Sequence, residues 1–313
     1  MIEALGREFR VLANQDDRVL DAAALRAFLA DADAVLANPA DRIDAGLLAA
    51  APHLKIAANV AVGYNNLDLA ACTAAGVLAT NTPDVLTEST ADHAWALLLA
   101  AARRVGESER WLRSGQWRRN TFEMFLGAEV HGATLGVLGM GRIGRAIARR
   151  AAGFGMPVIY HNRRRLAAEL EGGARHVSFD ELLTQSDHLV IVLPYSPAVH
   201  HIIGAEQLAR MKPAAVLVNI ARGGVVDDAA LAAALAAGRL AAAGLDVFEN
   251  EPALTPALAA LENVVLTPHI ASATHGTRLA MAERAVANAR AALAGERPPD
   301  LLNPEAWDNR RRC

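Results

Sequence analysis

One stretch of the chain restricts its fold more than any other. The β-rich run Thr134 to Leu138 ends in GMGRIG, Gly139 to Gly144, and passes straight into RAIARRAA, a helical pattern. Strand, tight turn and helix in that order suit a parallel α/β unit whose first glycine permits the turn. The second glycine lets backbone approach a pyrophosphate, and the third lets the helix pack closely on the strand, with phosphate oxygens at the helix N-terminus. Glycines that serve only turning and packing give the same bare match. Within the strand–turn–helix context, Gly139, Met140, Gly141, Arg142, Ile143 and Gly144 read as a dinucleotide-binding turn.

The rest of the chain agrees with an α/β architecture. From residue 134 to about 267, short strands recur at 135–138, 157–160, 189–193, 215–219, 244–247 and 264–266, with helical stretches between them. This block reads as doubly wound. Before it, short β-rich runs at 9–13, 34–37, 56–58 and 77–79 alternate with Ala/Leu stretches and read as a smaller βα domain. Residues 88–116 read as one long helix opened by Thr87, Ser89 and Thr90. Residues 274–295 read as a further helix, followed by a tail containing Pro298, Pro299 and Pro304 that is expected to return to the first domain. A chain of 313 residues accommodates two domains, and a composition 53% hydrophobic but only 4% aromatic suits an interior of Ala, Leu and Val packed between helices and parallel strands. The expected division is 1–95 plus 284–313 around 96–283.

Charge and cysteine content narrow the function classes. A net charge of −3 provides no basic field for nucleic acid. The N-terminus carries Glu3, Arg7, Glu8 and Arg10 in place of an apolar run, and no apolar stretch of membrane-spanning length follows. Cys72 and Cys313 are the only cysteines, and no His/Cys cluster has metal-ligand spacing, so the expectation is a metal-free cytoplasmic protein.

An NAD-binding unit usually carries Asp or Glu at the end of its second strand to bond the ribose hydroxyls. Here that place reads Tyr160, His161, Asn162, Arg163, Arg164, Arg165. Guanidinium groups there would bind a 2′-phosphate that a carboxylate would repel. NADP(H) is therefore expected over NAD(H), held by Asn162, Arg163 and Arg164, with Arg165 left to solvent.

Arg222 in NIARGGVVD, Glu251 in GLDVFENEP and His269 in TPHIAS each follow a predicted strand. Alone, each reads as a surface or loop residue. Together with VGYNNLD (from Val62), TPDVLTESTAD (from Thr82) and GMGRIG, their order and spacing resemble the D-isomer-specific 2-hydroxyacid dehydrogenase family over nearly the whole chain. The nearest likeness is to its glyoxylate/hydroxypyruvate and 2-ketogluconate reductase branch, through YHNRR and HIASAT. The resemblance implies a Rossmann cofactor domain inserted into a flavodoxin-like substrate domain, a homodimer, and reduction of a small 2-keto acid to the D-2-hydroxy acid. It makes Arg222 the anchor for substrate carboxylate and carbonyl, His269 the general acid/base and Glu251 its partner. Hydride reduction of a ketone leaves an alkoxide, so a proton donor and a fixed positive charge at that oxygen both lower the barrier. A free imidazole titrates at about 6.5, and a neighbouring carboxylate favours its charged form. Reduction should then run near neutral pH, and alcohol oxidation should improve as pH rises.

The resemblance also implies that the backbone of the Val62–Gly63 turn binds the substrate carboxylate, although Gly63 would equally serve as a simple turn residue. It assigns cofactor contacts to Thr87, Pro194, the Ala221 backbone and Asp246, with capping the alternative for Asp246. It puts Ser272 either at the substrate's far hydroxyls or in a structural role. The pattern departs from the family in two places. The strand and helix that usually precede residues 9–13 are cut short, as a misplaced start codon would produce, and Met1 to Glu8 reads as the end of that helix; intact mass of the native protein decides. Residues 118–130 offer Phe122, Met124 and Phe125 where some relatives have pocket tryptophans, and Trp111 and Trp117 read as packing or dimer-contact residues. The adjacent His200 and His201 read as a polar turn, and Arg310 to Arg312 as a solvated tail. Two competing readings are a non-enzymatic dinucleotide sensor of the same fold and a phosphoglycerate dehydrogenase; the latter is disfavoured by Arg163 and Arg164.

Overall fold

The computed structural model describes residues 2–14 and 18–311. The chain forms two compact units, one from residues up to Pro83 together with those from Leu279, the other Asp84–Arg278. The division expected after residue 95 falls inside the helix Thr87–Ala102, whose buried face belongs to the larger unit's core.

In the smaller unit, strands β1 (Ala34–Ala37), β2 (Ile56–Asn59) and β3 (Leu78–Thr80) form a parallel sheet in that order. Successive side chains on a strand face opposite sides. Val35, Ala37, Ala57 and Ala79 pack on Leu25, Leu29, Leu47, Leu48 and Cys72, while Ile56, Ala58 and Leu78 pack on Ala285, Ala289 and Ala292 of the helix His275–Leu293. Asp21, Asp44 and Asp68 each accept backbone N–H groups at a helix start, satisfying donors that helical bonds leave free. The chain's end folds back here: Leu301 bridges Thr80, and the buried Asn303 accepts the Ala79 N–H at 2.9 Å.

The expected strand at 9–13 does not form. Ile2–Leu5 is helical, but residues 10–14 are irregular and Val11 and Leu12 are exposed. Extended backbone needs a ladder partner, and among the described residues β1 pairs only with β2. The described strands of the smaller sheet therefore run in simple order, and a reversal of strand order, the mark of a doubly wound sheet, is found elsewhere.

That reversal lies in the larger unit. Its strands are β4 (Leu135–Leu138), β5 (Val158–His161), β6 (Arg175–His176), β7 (His188–Ile191), β8 (Val216–Asn219), β9 (Ala242–Leu245) and β10 (Val264–Leu266). They form an all-parallel sheet in the order β10-β9-β8-β7-β4-β5-β6. The order reverses between β4 and β7, the place where doubly wound sheets open a crevice beyond their strands' carboxyl ends. β4, β7, β8 and β9 are buried throughout, which explains their continuous apolar runs. β9 starts two residues before the sequence suggested, because its alanines carry no strand signal. β6 is too short to register.

The single helix expected over 88–116 is broken. Thr87–Ala102 stops, and Val105–Arg113 follows after Arg104 adopts left-handed backbone at φ 52°. The Ala102 carbonyl that would continue the helix accepts instead from Ala128 at 2.8 Å, and the Arg104 guanidinium bonds both carboxylate oxygens of Glu107. No helix among the described residues is long and apolar enough to cross a membrane.

Candidate active site

The glycine turn follows β4. Gly139 takes φ 105°, and a side chain there would meet the Val192 carbonyl at 2.9 Å. A Cβ at Gly144 would stand 2.3 Å from the Gly139 carbonyl, so only glycine lets the helix Arg142–Ala151 approach this closely. A Cβ at Gly141 would meet nothing, leaving its backbone open to a ligand. Met140 and Ile143 point into the core. Such a turn has the open backbone that a dinucleotide's phosphates require. The Arg142 side chain turns aside to pair with Asp84 at 2.6 Å.

Beyond β5, the residues expected to hold a 2′-phosphate separate. Asn162 directs its side-chain oxygen to the Met140 N–H at 2.7 Å, so it braces the glycine turn. Arg163 and Arg164 are exposed and pair with no carboxylate among the described residues. Arg165, expected to face solvent, is engaged: it grips Glu171 at 2.8 and 3.0 Å, and with the Tyr160 hydroxyl holds that carboxyl down at about 2. The neighbouring acid is ionised but paired with Arg165, and among the described residues two guanidinium groups remain without a carboxylate at the strand's end.

Arg222, Glu251 and His269 converge from the ends of β8, β9 and β10. Gly223 makes this possible, since a Cβ there would lie 1.7 Å from the Phe248 carbonyl; the arginine loop rests directly on the segment that carries Glu251. Asn219 fixes that loop by accepting the Ala221 N–H at 3.0 Å, and the Arg222 guanidinium donates to the Ala221 carbonyl at 2.6 Å. Burial pulls Arg222 below its ordinary pKa against the opposing charge of Glu251.

Glu251 accepts from the Phe248 N–H with one oxygen at 3.0 Å and from His269 Nδ1 with the other at 2.8 Å. Burial raises its pKa, but the His269 and Phe248 hydrogen bonds and the charges of His269 and Arg222 outweigh this and hold the carboxyl below its ordinary range. With Nδ1–H committed to a carboxylate, Nε2 is the nitrogen left to exchange a proton. A pocket of about 370 Å³ opens beside the pair, lined on its apolar side by Phe248, Pro252, Leu254 and Leu266.

Asp246 is engaged within the protein. It is 1% exposed, and its oxygens accept from the Ile270 and Ala271 N–H groups at 2.8 and 2.9 Å and from the Thr267 hydroxyl at 2.6 Å. His93, on the helix Thr87–Ala102, adds Nε2 contacts to Thr267 and Asp246 at 3.0 and 3.4 Å. Asp246 therefore anchors the loop that presents His269. Sequence reasoning missed His93, Thr267 and Asn219; the one available signal was a histidine on an otherwise apolar helix face. Thr87 opens its helix without a capping bond, Pro194 is exposed after β7, and Ser272 is half-buried just beyond His269. In the smaller unit, the Val62 and Gly63 carbonyls accept from Asn81 and Asn59. His201, in the supposed polar turn, bonds Glu249. Arg312 and Cys313 lie outside the described residues. No metal-binding group of three His, Cys, Asp or Glu occurs among the described residues.

A Rossmann unit with an open phosphate turn, and beside it an imidazole backed by a carboxylate near a buried guanidinium, define the class of dinucleotide-dependent oxidoreductases. Residues 95–271 match the family described as D-isomer specific 2-hydroxyacid dehydrogenase, NAD binding domain. The glyoxylate reductase of Thermococcus onnurineus is 49% identical over 315 residues, covering 99% of this chain and 94% of that protein. Among solved structures, an NADPH-dependent glyoxylate/hydroxypyruvate reductase from Sinorhizobium meliloti, in complex with NADP and malonate, superposes with a TM-score of 0.88 at 36% identity, covering 100% of this chain and 95% of that one. A glyoxylate reductase from Paecilomyes thermophila gives 0.80 at 40% identity, covering 87% and 84%. The chain belongs to the D-isomer specific 2-hydroxyacid dehydrogenase family.

Proposed function

We propose that this protein reduces a small 2-keto acid, namely glyoxylate, hydroxypyruvate or 2-ketogluconate, to the D-2-hydroxy acid with NADPH. The observation that carries the chemistry is His269, bonded through Nδ1 to an ionised Glu251 and adjoining the Arg222 loop. Arg222 holds the keto acid's carboxylate and polarises its carbonyl. His269 Nε2 donates a proton to the carbonyl oxygen, and Glu251 stabilises the imidazolium before that transfer. The nicotinamide cofactor, when bound, supplies the hydride. The larger unit serves as the cofactor domain, and the smaller contributes the Val62–Gly63 turn to the carboxylate.

The preference for NADPH rests on Arg163 and Arg164, free at the end of β5 where an NAD-binding unit would carry an acid. The NADP bound in the S. meliloti relative supports the same choice. A homodimer is supported by the apolar side chains exposed between Val105 and Leu126, with Phe122 98% and Trp117 50% accessible.

Initial rates with the three keto acids, each with NADPH and NADH, test the proposal. Rapid NADPH oxidation that is lost in Arg222→Ala is the expected result. Tight NADPH binding without turnover would make the protein a dinucleotide sensor and overturn it.

A further inference from the structure

In the smaller unit, Asn59 at the end of β2 is fully buried and Asn81 just past β3 is 9% exposed. Buried amides must find acceptors. Asn81 donates to the Val62 carbonyl and Asn59 to the Gly63 carbonyl, each at 2.8 Å. Asn59 is itself oriented, since its side-chain oxygen accepts from Asn66 at 3.0 Å, and the Asn66 amide also reaches the Asn38 and Asp41 carbonyls at 3.2 and 3.1 Å.

The consequence follows from the planar trans peptide, in which C=O and N–H point in opposite directions. Drawing the Val62 carbonyl inward sends the Gly63 N–H outward, and drawing the Gly63 carbonyl inward does the same for the Tyr64 N–H. Neither N–H donates to another group among the described residues, while Val62 and Gly63 are partly accessible and Tyr64 is exposed. Two successive N–H groups turned the same way form an anion-binding concavity.

We infer that Asn59 and Asn81 are positioning residues, which fix the Val62–Gly63–Tyr64 turn with its amides presented to the carboxylate of the 2-keto acid. The inference rests on the proposed reaction and adds the residues that make this turn specific for an acid substrate. Peptide flipping is the motion they oppose: without the inner donors, the carbonyls can rotate toward the ligand and repel it.

The test is made on the full chain with Asn59→Ala and Asn81→Ala. Steady-state rates with glyoxylate are combined with inhibition by oxamate, a carboxylate that mimics a keto acid. Losing one inner hydrogen bond should raise KM for glyoxylate and the inhibition constant of oxamate together by about tenfold. NADPH affinity, read by fluorescence titration, and thermal midpoint should stay near wild type in Asn81→Ala, whose amide makes a single bond. If Asn59→Ala fails to fold, Asn81→Ala decides alone. Unchanged glyoxylate KM and oxamate inhibition in the folded variants, with an active wild type, would overturn the inference and leave the proposed reaction standing. A wild type that neither reduces a keto acid nor is bound by oxamate would overturn both.

Discussion

His269 occupies left-handed backbone at φ 53°, a region that non-glycine residues rarely adopt and that costs of order 1–3 kcal/mol. Its N–H is tied to the Asp246 and Thr267 carbonyls at 2.9 and 3.0 Å, so the conformation is enforced by the end of β9. Replacing it with glutamine should lower kcat for keto acid reduction by a factor on the order of 10² to 10⁴ while leaving NADPH affinity intact, as stopped-flow and titration would read. Glu251→Gln should retain some activity but lower kcat for keto acid reduction, because the His269 ring loses the carboxylate that fixes its orientation and tautomer. A kcat equal to wild type would contradict the role given to Glu251. At the cofactor, Arg163→Ala combined with Arg164→Ala should raise KM for NADPH by about a hundredfold or more and leave NADH nearly unaffected. Equal losses with both cofactors would remove the 2′-phosphate assignment. These charged residues were legible in the sequence because each follows a strand end. Asn59, Asn81 and His93 were not, since a lone polar residue in an apolar run looks the same whether it braces a site or merely sits there.

The loop that carries His269 is held as a piece by one buried carboxylate. Asp246→Asn keeps the shape but turns one of the two carboxylate oxygens into an N–H donor that faces either the Ile270 or the Ala271 N–H, so the variant should lose about 1.5–3 kcal/mol by urea unfolding and also lose kcat. Full stability and full activity together would show that the loop needs no such anchor. At the start of β7, His188 donates through Nε2 to the Glu129 carbonyl at 2.8 Å, and its buried Nδ1 has no partner among the described residues. Burial lowers its pKa, so the unfolded chain takes up a proton near the ordinary value of about 6.5 while the folded chain resists it. This part of the stability is complete above that value and is lost as pH falls toward the folded pKa. The urea midpoint should therefore decline between pH 7.5 and 5.5, roughly a unit on either side of that ordinary value, and decline less in His188→Gln. Elements set by local pattern, such as the glycine turn, the strands of the larger unit and the helix His275–Leu293, were readable in advance. The break at Arg104 and the unpaired run at 9–13 were not, because both depend on partners distant in sequence: Ala128 takes the Ala102 carbonyl, and among the described residues β1 has β2 as its one ladder partner.

As a whole molecule, the protein combines a unit whose sheet order and glycine turn suit a dinucleotide with a second unit whose asparagine-braced turn suits a carboxylate. Association of two copies through residues between Val105 and Leu126 should appear as a dimer by sedimentation, and Phe122→Asp with Trp117→Asp should shift it toward monomer. A wild-type monomer would count against that surface as a dimer contact. The most direct test of the central claim follows the hydride itself. NADPH deuterated at the transferring position of its nicotinamide is incubated with hydroxypyruvate and the protein, and the product is examined by mass spectrometry and NMR. D-glycerate carrying deuterium at C2 is the predicted result. Deuterated cofactor that remains bound and intact, with hydroxypyruvate, glyoxylate and 2-ketogluconate all unchanged, would contradict it.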